Sequence, residues 1–233
     1  MILDTVCFYF LRPYEKLVYS IGALALISSA QGVTINVGVE GFNNANNWPG
    51  GEPPSAVIDG AGQKYLNFGV SNTGVVVTPS AGSTATSMTL WAANDAVERD
   101  PASYLLFGTN SAVAGPSFSS SAFTLISGGA LSLPDSRNDG GGAALDSANS
   151  TTVAFANTEA YTTYMVLFPT VKDGGAANSM QVAEIQLFDA GNNGIFAPGN
   201  TILGVQSAST IPEPSTGLLS LLAATALLGR RRR

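Results

Sequence analysis

Between residues 31 and 190 the apolar positions come in short bursts set apart by polar and glycine-rich stretches. Val33-Thr34-Ile35-Asn36-Val37 and Thr151-Thr152-Val153-Ala154-Phe155 alternate with period two, which places one side of each segment in a core and the other in water. β-Branched and aromatic bursts at 64–68, 75–78, 87–92, 104–107, 123–126, 161–168 and 182–188 predict further strands. The Gly/Asn/Ser/Pro-rich stretches 43–54, 93–101, 108–120 and 134–150 read as loops. No central segment holds a 3.6-residue period between caps. Many short strands with tight connections predict an all-β, antiparallel β-sandwich over 31–190. Residues 191–210 are polar, aperiodic and Gly/Pro/Asn-containing, and read as a linker.

The two ends follow a different pattern. Lys16 precedes an apolar run over 17–27, and Ser28-Ser29-Ala30-Gln31 then offers small residues around a cut after Ala30. That order predicts an N-terminal signal helix over 1–30, removed on export. At the other end, Pro212-Glu213-Pro214 leads into an uncharged apolar stretch, 215–229, closed by Arg230, Arg231, Arg232 and Arg233. The prolines set the earliest start of a helix. At ~1.5 Å per residue the stretch is short for a ~30 Å hydrocarbon core, and snorkelling arginines extend its reach. The pattern predicts a C-terminal transmembrane helix stopped by the four arginines on the cytoplasmic side, with the domain outside.

Charge narrows the partners. Residues 31–210 hold thirteen acidic and four basic side chains, a net of −9. Such a domain repels phosphate backbones, which argues against nucleic acid. The chain has no histidine, which removes Ser-His-Asp and Cys-His catalysis and most zinc sites. The one cysteine, Cys7, lies in the predicted signal segment, so no disulfide is expected in the mature domain. Acid pairs such as Asp95/Asp100 or Asp135/Asp139 could in principle serve glycoside hydrolysis. No motif marks one of them, and the expectation is that the protein is not an enzyme.

The tail resembles the PEP-CTERM sorting signal of Gram-negative bacteria, with Pro212, Glu213 and Pro214 as the motif. The resemblance implies an exosortase as processing partner, cleavage near the motif, transient membrane anchoring, and a link to exopolysaccharide or biofilm at the cell surface or in the matrix.

Four segments of the central domain, in order, resemble discoidin (F5/8 type C) domains, a galactose-binding-like jelly roll. They are Ala56-Val57-Ile58-Asp59-Gly60 with Lys64–Phe68, Ala93–Ala96 with Glu98-Arg99-Asp100-Pro101, Asn157 with Tyr161–Tyr164, and Gln181–Phe188. The resemblance implies a structural Ca²⁺ held by the carboxylates of Asp59 and Glu184 and the carbonyls of Ala56 and Ala183. Two carboxylates offset the charge of an ion that takes about 6–8 oxygens. Ala61 and Gln63 depart from the family pattern beside this site. Without a metal, Asp59 would cap its own turn at Gly60 and Glu184 would hydrogen-bond inside the sandwich.

Ligand contacts have four candidates. Asn94, Asp95 and Arg99 could meet sugar hydroxyls, or Arg99 could clamp a carboxylate and pin its loop. Trp48, in an Asn/Gly/Pro loop near Phe42, could stack on a sugar or anchor the loop over the core. Trp91 sits inside a predicted strand and reads as packing. The functional expectation is a non-catalytic carbohydrate-binding or adhesive module. The alternative is a structural matrix protein without a specific ligand.

Overall fold

The computed structural model describes residues 32–42 and 46–211. The signal segment, the sorting motif Pro212-Glu213-Pro214, the apolar tail and Arg230–Arg233 lie outside the described residues. Among the described residues no helix is long and apolar enough to cross a membrane.

Twelve strands follow one another: β1 Thr34–Val37, β2 Tyr65–Asn67, β3 Thr73–Thr78, β4 Ser87–Trp91, β5 Ser103–Thr109 and β6 Ser117–Ser119. Then come β7 Thr124–Ala130, β8 Ser150–Ala154, β9 Thr163–Phe168, β10 Met180–Val182, β11 Glu184–Phe188 and β12 Thr201–Ser207. All pairings between strands are antiparallel. Seven strands form one sheet in the order β6-β1-β12-β3-β9-β5-β7, and β11-β4-β8 and β10-β2 form two smaller ones. The architecture is an all-β antiparallel sandwich.

The large sheet cannot be flat. Its two edge strands, β6 and β7, are joined by residues 120–123. The step from Ser119 to Thr124 reaches at most ~17 Å, whereas six strand spacings of ~4.8 Å put flat edges ~29 Å apart. The sheet therefore curls until its edges approach, and this produces two cores. One lies between the large sheet and the smaller ones and holds Val75, Val77, Met88, Leu90, Tyr104, Tyr164 and Leu187. The second lines the other face of the curled sheet, with Ile35, Val76, Leu105, Phe107, Met165, Leu167 and Val205. Successive residues of β3, β5 and β9 serve opposite cores, so every residue of β5 and β9 is buried. That is why these strands read as continuous apolar runs.

Three expectations need correction. Residues 191–210 are not a linker: β12 pairs with β1 on one side and β3 on the other, inside the large sheet. Its pattern was broken by Gly204, where a Cβ would lie 2.6 Å from the Tyr65 hydroxyl and 2.7 Å from the Trp48 ring. Gly204→Ala is expected to cost about 1–3 kcal/mol through overpacking, read as a lower denaturation midpoint at unchanged m-value. The sandwich thus runs past residue 190 to the end of the described chain. The predicted loop 108–120 contains β6, which is too short to show a period. The run 182–188 is two strands, because Ala183 carries the chain from β2's partner to β4's.

Candidate functional site

The 3-10 turn Pro54–Ile58 ends at Asp59, and Gly60 follows with φ +75°, a left-handed conformation that favours glycine. This corner brings Asp59 to the start of β11. The Gly60 N–H donates to Glu184 Oε2 at 3.1 Å, and the Ala61 N–H donates to Asp59 Oδ1 at 2.8 Å. Glu184 is only 4% exposed. Burial, and then the charge of Asp59, push its pKa up to about 8 against the pull of the Gly60 and Asp59 N–H groups. Burial also raises Asp59, opposed by the Ala61 N–H. No Lys or Arg forms an ion pair with either carboxylate among the described residues. A buried acid facing a second acid with no counter-charge is a donor set that fits a hard cation. No third acidic, His or Cys side chain joins them among the described residues. A cation there would depend on these two carboxylates, carbonyls such as those of Ala56 and Ala183, and water.

The loop after β4 holds the other polar candidates. Both Asp95 carboxylate oxygens accept from Lys64 Nζ at 2.7 Å, and Lys64 also lies 3.5 Å from Glu52. Lys64 is buried while the Asp95 side chain is half exposed. Burial opposes ionisation of Asp95, but Lys64, Arg99 and Gln181 together hold its carboxyl below the usual range. Ala96 adopts φ +39°. Its carbonyl accepts from the fully buried Gln181 amide at 3.0 Å, and the same amide reaches the Asp95 carbonyl. Asn94 is exposed and lies against Gly140, where a Cβ would come within 2.7 Å of its amide nitrogen.

Arg99 is not the clamp of this loop. It makes no ion pair among the described residues, and its Nε is buried without a hydrogen-bond partner. Arg137 takes that part. Its Nη1 and Nη2 donate to Asp100 Oδ1 and Oδ2 at 2.8 and 2.7 Å, and Nη1 also reaches the Asp95 carbonyl at 3.2 Å. Lys172 adds a second cation 3.2 Å from Asp100 and pairs with Asp135 at 2.8 Å. Arg137 was legible only as one of four basic residues in an acidic domain.

Trp48 stands apart from these groups. It is half-buried, its ring meets Tyr65 edge-on at 6.2 Å, and it packs against the central core. It also lines an open groove of about 290 Å³ with Val37, Gly38, Pro53, Pro54, Ser55 and Ile202–Gly204. Asn94, Asp95 and Arg99 do not line that groove. Sequence reasoning missed the groove because β12, which supplies one wall, was read as a linker. Trp91 lies on β4 opposite Glu184 and Ser150, half-buried.

No protein-family model matches the chain. No curated protein matches it either. Several solved structures do, and they are carbohydrate-binding modules. The family 32 module of Clostridium perfringens NanJ, in complex with galactose, is 14% identical, covers 60% of this chain and 87% of its own, and has a TM-score of 0.42. A second family 32 module from Clostridium perfringens, in complex with GalNAc-β-1,3-galactose, is 13% identical over 68% and 94%, with a TM-score of 0.43. The family 32 module of Streptococcus pneumoniae EndoD is 11% identical over 64% and 90%, with a TM-score of 0.43. At these identities and TM-scores the likeness carries no ligand and no residue role to this chain.

Proposed function

We propose that this protein is an exported, non-catalytic glycan-binding module, with the Trp48 groove as its sugar platform. The observation that supports this most is a half-buried indole that lines an open, mostly apolar groove together with Ser55, Gly38 and Gly204. A pyranose presents a C–H face to an aromatic ring and hydroxyls to polar groups at the rim. The chain contains no histidine, which removes the catalytic triads built on one.

Titration calorimetry against neutral mono- and oligosaccharides, galactose and GalNAc among them, and against the host's own exopolysaccharide tests this reading. Binding that falls at least tenfold in Trp48→Ala, and clearly in Ser55→Ala at unchanged melting temperature, supports it. Absence of binding to every sugar at millimolar concentration overturns it in favour of a structural surface protein. A Ca²⁺ held by Asp59, Glu184 and the carbonyls of Ala56 and Ala183 belongs to the same reading as a stabilising ion. So do export, sorting by an exosortase and delivery to the surface or matrix. Intact mass from the native host is expected to show a species that begins after Ala30 and ends near Pro212–Pro214. A surface species retaining Arg230–Arg233 would mean a permanent anchor instead.

A further inference from the structure

We propose that β8 is a self-association edge through which two copies of this chain pair about a two-fold axis at Thr152. β8 closes one side of the β11-β4-β8 sheet. Its hydrogen-bond direction follows from its neighbours: the Ala92 N–H donates to the Asn149 carbonyl, and the Phe155 N–H donates to the Thr86 carbonyl. These fix 149, 151, 153 and 155 as the residues bonded to β4. In an antiparallel ladder the alternate residues turn their N–H and C=O groups the other way. Ser150, Thr152 and Ala154 therefore present theirs outward, and among the described residues no backbone group accepts from or donates to them there.

Other edges differ: β7 carries a bulge at Ile126, where its register with β5 shifts, and β10 is a buried three-residue strand. The free side of β11 is covered by the following segment, where the Ile195 N–H donates to the Leu187 carbonyl. β2 is covered by the loop before it, through Phe68 to Asn47 and Leu66 to Glu52. β6 is three residues long, and the curl brings it towards β7. Natural sheets guard an open edge with Lys, Pro, a bulge or a cover. β8 has none of these. It is Ser-Thr-Thr-Val-Ala, and residues 147–158 carry no charge and no proline.

The same features select the partner. The chain carries a net charge of −6, so copies repel except across a neutral surface. The outward groups are also self-complementary. With Thr152 opposite Thr152 of the second copy, Ser150 faces Ala154 of the second copy, and each facing pair exchanges two hydrogen bonds. All outward groups of both strands are then satisfied, in the isologous arrangement typical of two-fold dimers. Asp146 of each copy approaches Glu159 of the other in this register, so association is expected to strengthen as salt screens them. The contact is small and therefore weak in dilute solution, and it gains from the high local concentration of a surface or matrix.

The test uses the full-length chain in mild detergent, with Cys7→Ser as background. In Thr152→Cys, dissolved oxygen oxidises two facing thiols to one disulfide, taking their hydrogens to water. Facing Cα atoms in such a pair lie ~5.5 Å apart, within disulfide reach. Covalent dimer is expected at least tenfold above that of Thr201→Cys, which is exposed on β12. Thr152→Pro removes an outward N–H without breaking a backbone bond to β4, but it also removes the hydroxyl that pairs with Thr89 Oγ1 of β4 at 2.8 Å. Thr152→Val, which loses that hydroxyl and keeps the N–H, is therefore the reference. The proline variant is expected to associate at least tenfold more weakly than Thr152→Val by sedimentation equilibrium, with a melting curve like that of Thr152→Val. Thr152→Lys gives the same reading should the proline unfold the sheet. Equal cross-linking at 152 and 201, or wild-type association in Thr152→Lys, would overturn the proposal.

Discussion

Metal-free protein is expected to lose stability as pH rises from about 5 to about 8, and Ca²⁺ is expected to restore it. The cause is Glu184. Its pKa is pushed from the ordinary 4.5 up to about 8 in the folded chain. Between those values the folded protein holds a proton that the unfolded chain has released, so stability is highest below the lower value and declines towards the upper one. At about 1.4 kcal/mol per pKa unit the loss is on the order of 5 kcal/mol, or roughly 10 °C in melting temperature for a domain of this size. The raised Asp59 acts in the same direction. Asp95 has a lowered pKa, and its stabilising effect disappears only in more acid solution, outside this window. A divalent ion between Asp59 and Glu184 favours the ionised pair and removes the decline. Glu184→Gln keeps an oxygen for the Gly60 N–H but cannot ionise. It is expected to flatten the profile, raise the melting temperature of metal-free protein at pH 8, and abolish the response to Ca²⁺. Calorimetric melting across this pH range, with EDTA or with Ca²⁺, decides. A flat wild-type profile sinks the buried-acid argument. An unchanged melt on adding Ca²⁺ or EDTA sinks the cation alone.

The pairing of Asp59 with Glu184 was visible in the sequence only through a resemblance, since 125 positions separate them and neither stands in a motif of its own. Strands with one wet face were visible directly. β1 and β8 alternate because one side of each meets solvent or a polar neighbour. β12 was hidden for the opposite reason: it lies between two strands with a core on each face, and Gly204 interrupts its apolar run to admit Trp48 and Tyr65. Long-range partner choice was the other blind spot. Arg99 is adjacent to Asp100 in sequence and invites the pairing. The 3-10 turn Val97–Arg99 instead carries Asp100 inward, where a guanidinium from the loop after β7 meets it. Neighbours on the chain point in different directions at such a turn, and spacing alone does not say which cation arrives.

Arg137→Ala is therefore expected to be among the most damaging single changes in the domain, and Arg99→Ala among the mild ones. The Asp100 carboxylate is fully buried, while the Arg137 and Lys172 side chains are 18% and 20% exposed. Removing the guanidinium deletes both oxygens' best donors and leaves a buried anion facing Lys172 alone. It also releases the carbonyls of Asp95 and Pro134, which Arg137 ties together across the loop. Breaking one side of a buried ion pair costs about 3–5 kcal/mol. Arg137→Lys recovers little, because a single ammonium cannot reproduce the two parallel bonds. Asp100→Ala in the Arg137→Ala background removes the stranded charge, so the double variant is expected to be more stable than the sum of the two single losses. Urea unfolding at fixed pH with saturating Ca²⁺ keeps the Glu184 effect constant while these are compared. A loss in Arg99→Ala equal to that in Arg137→Ala would return the clamp to Arg99. A strictly additive double variant would mean that the bidentate contact adds no stability beyond the separate packing of its two partners.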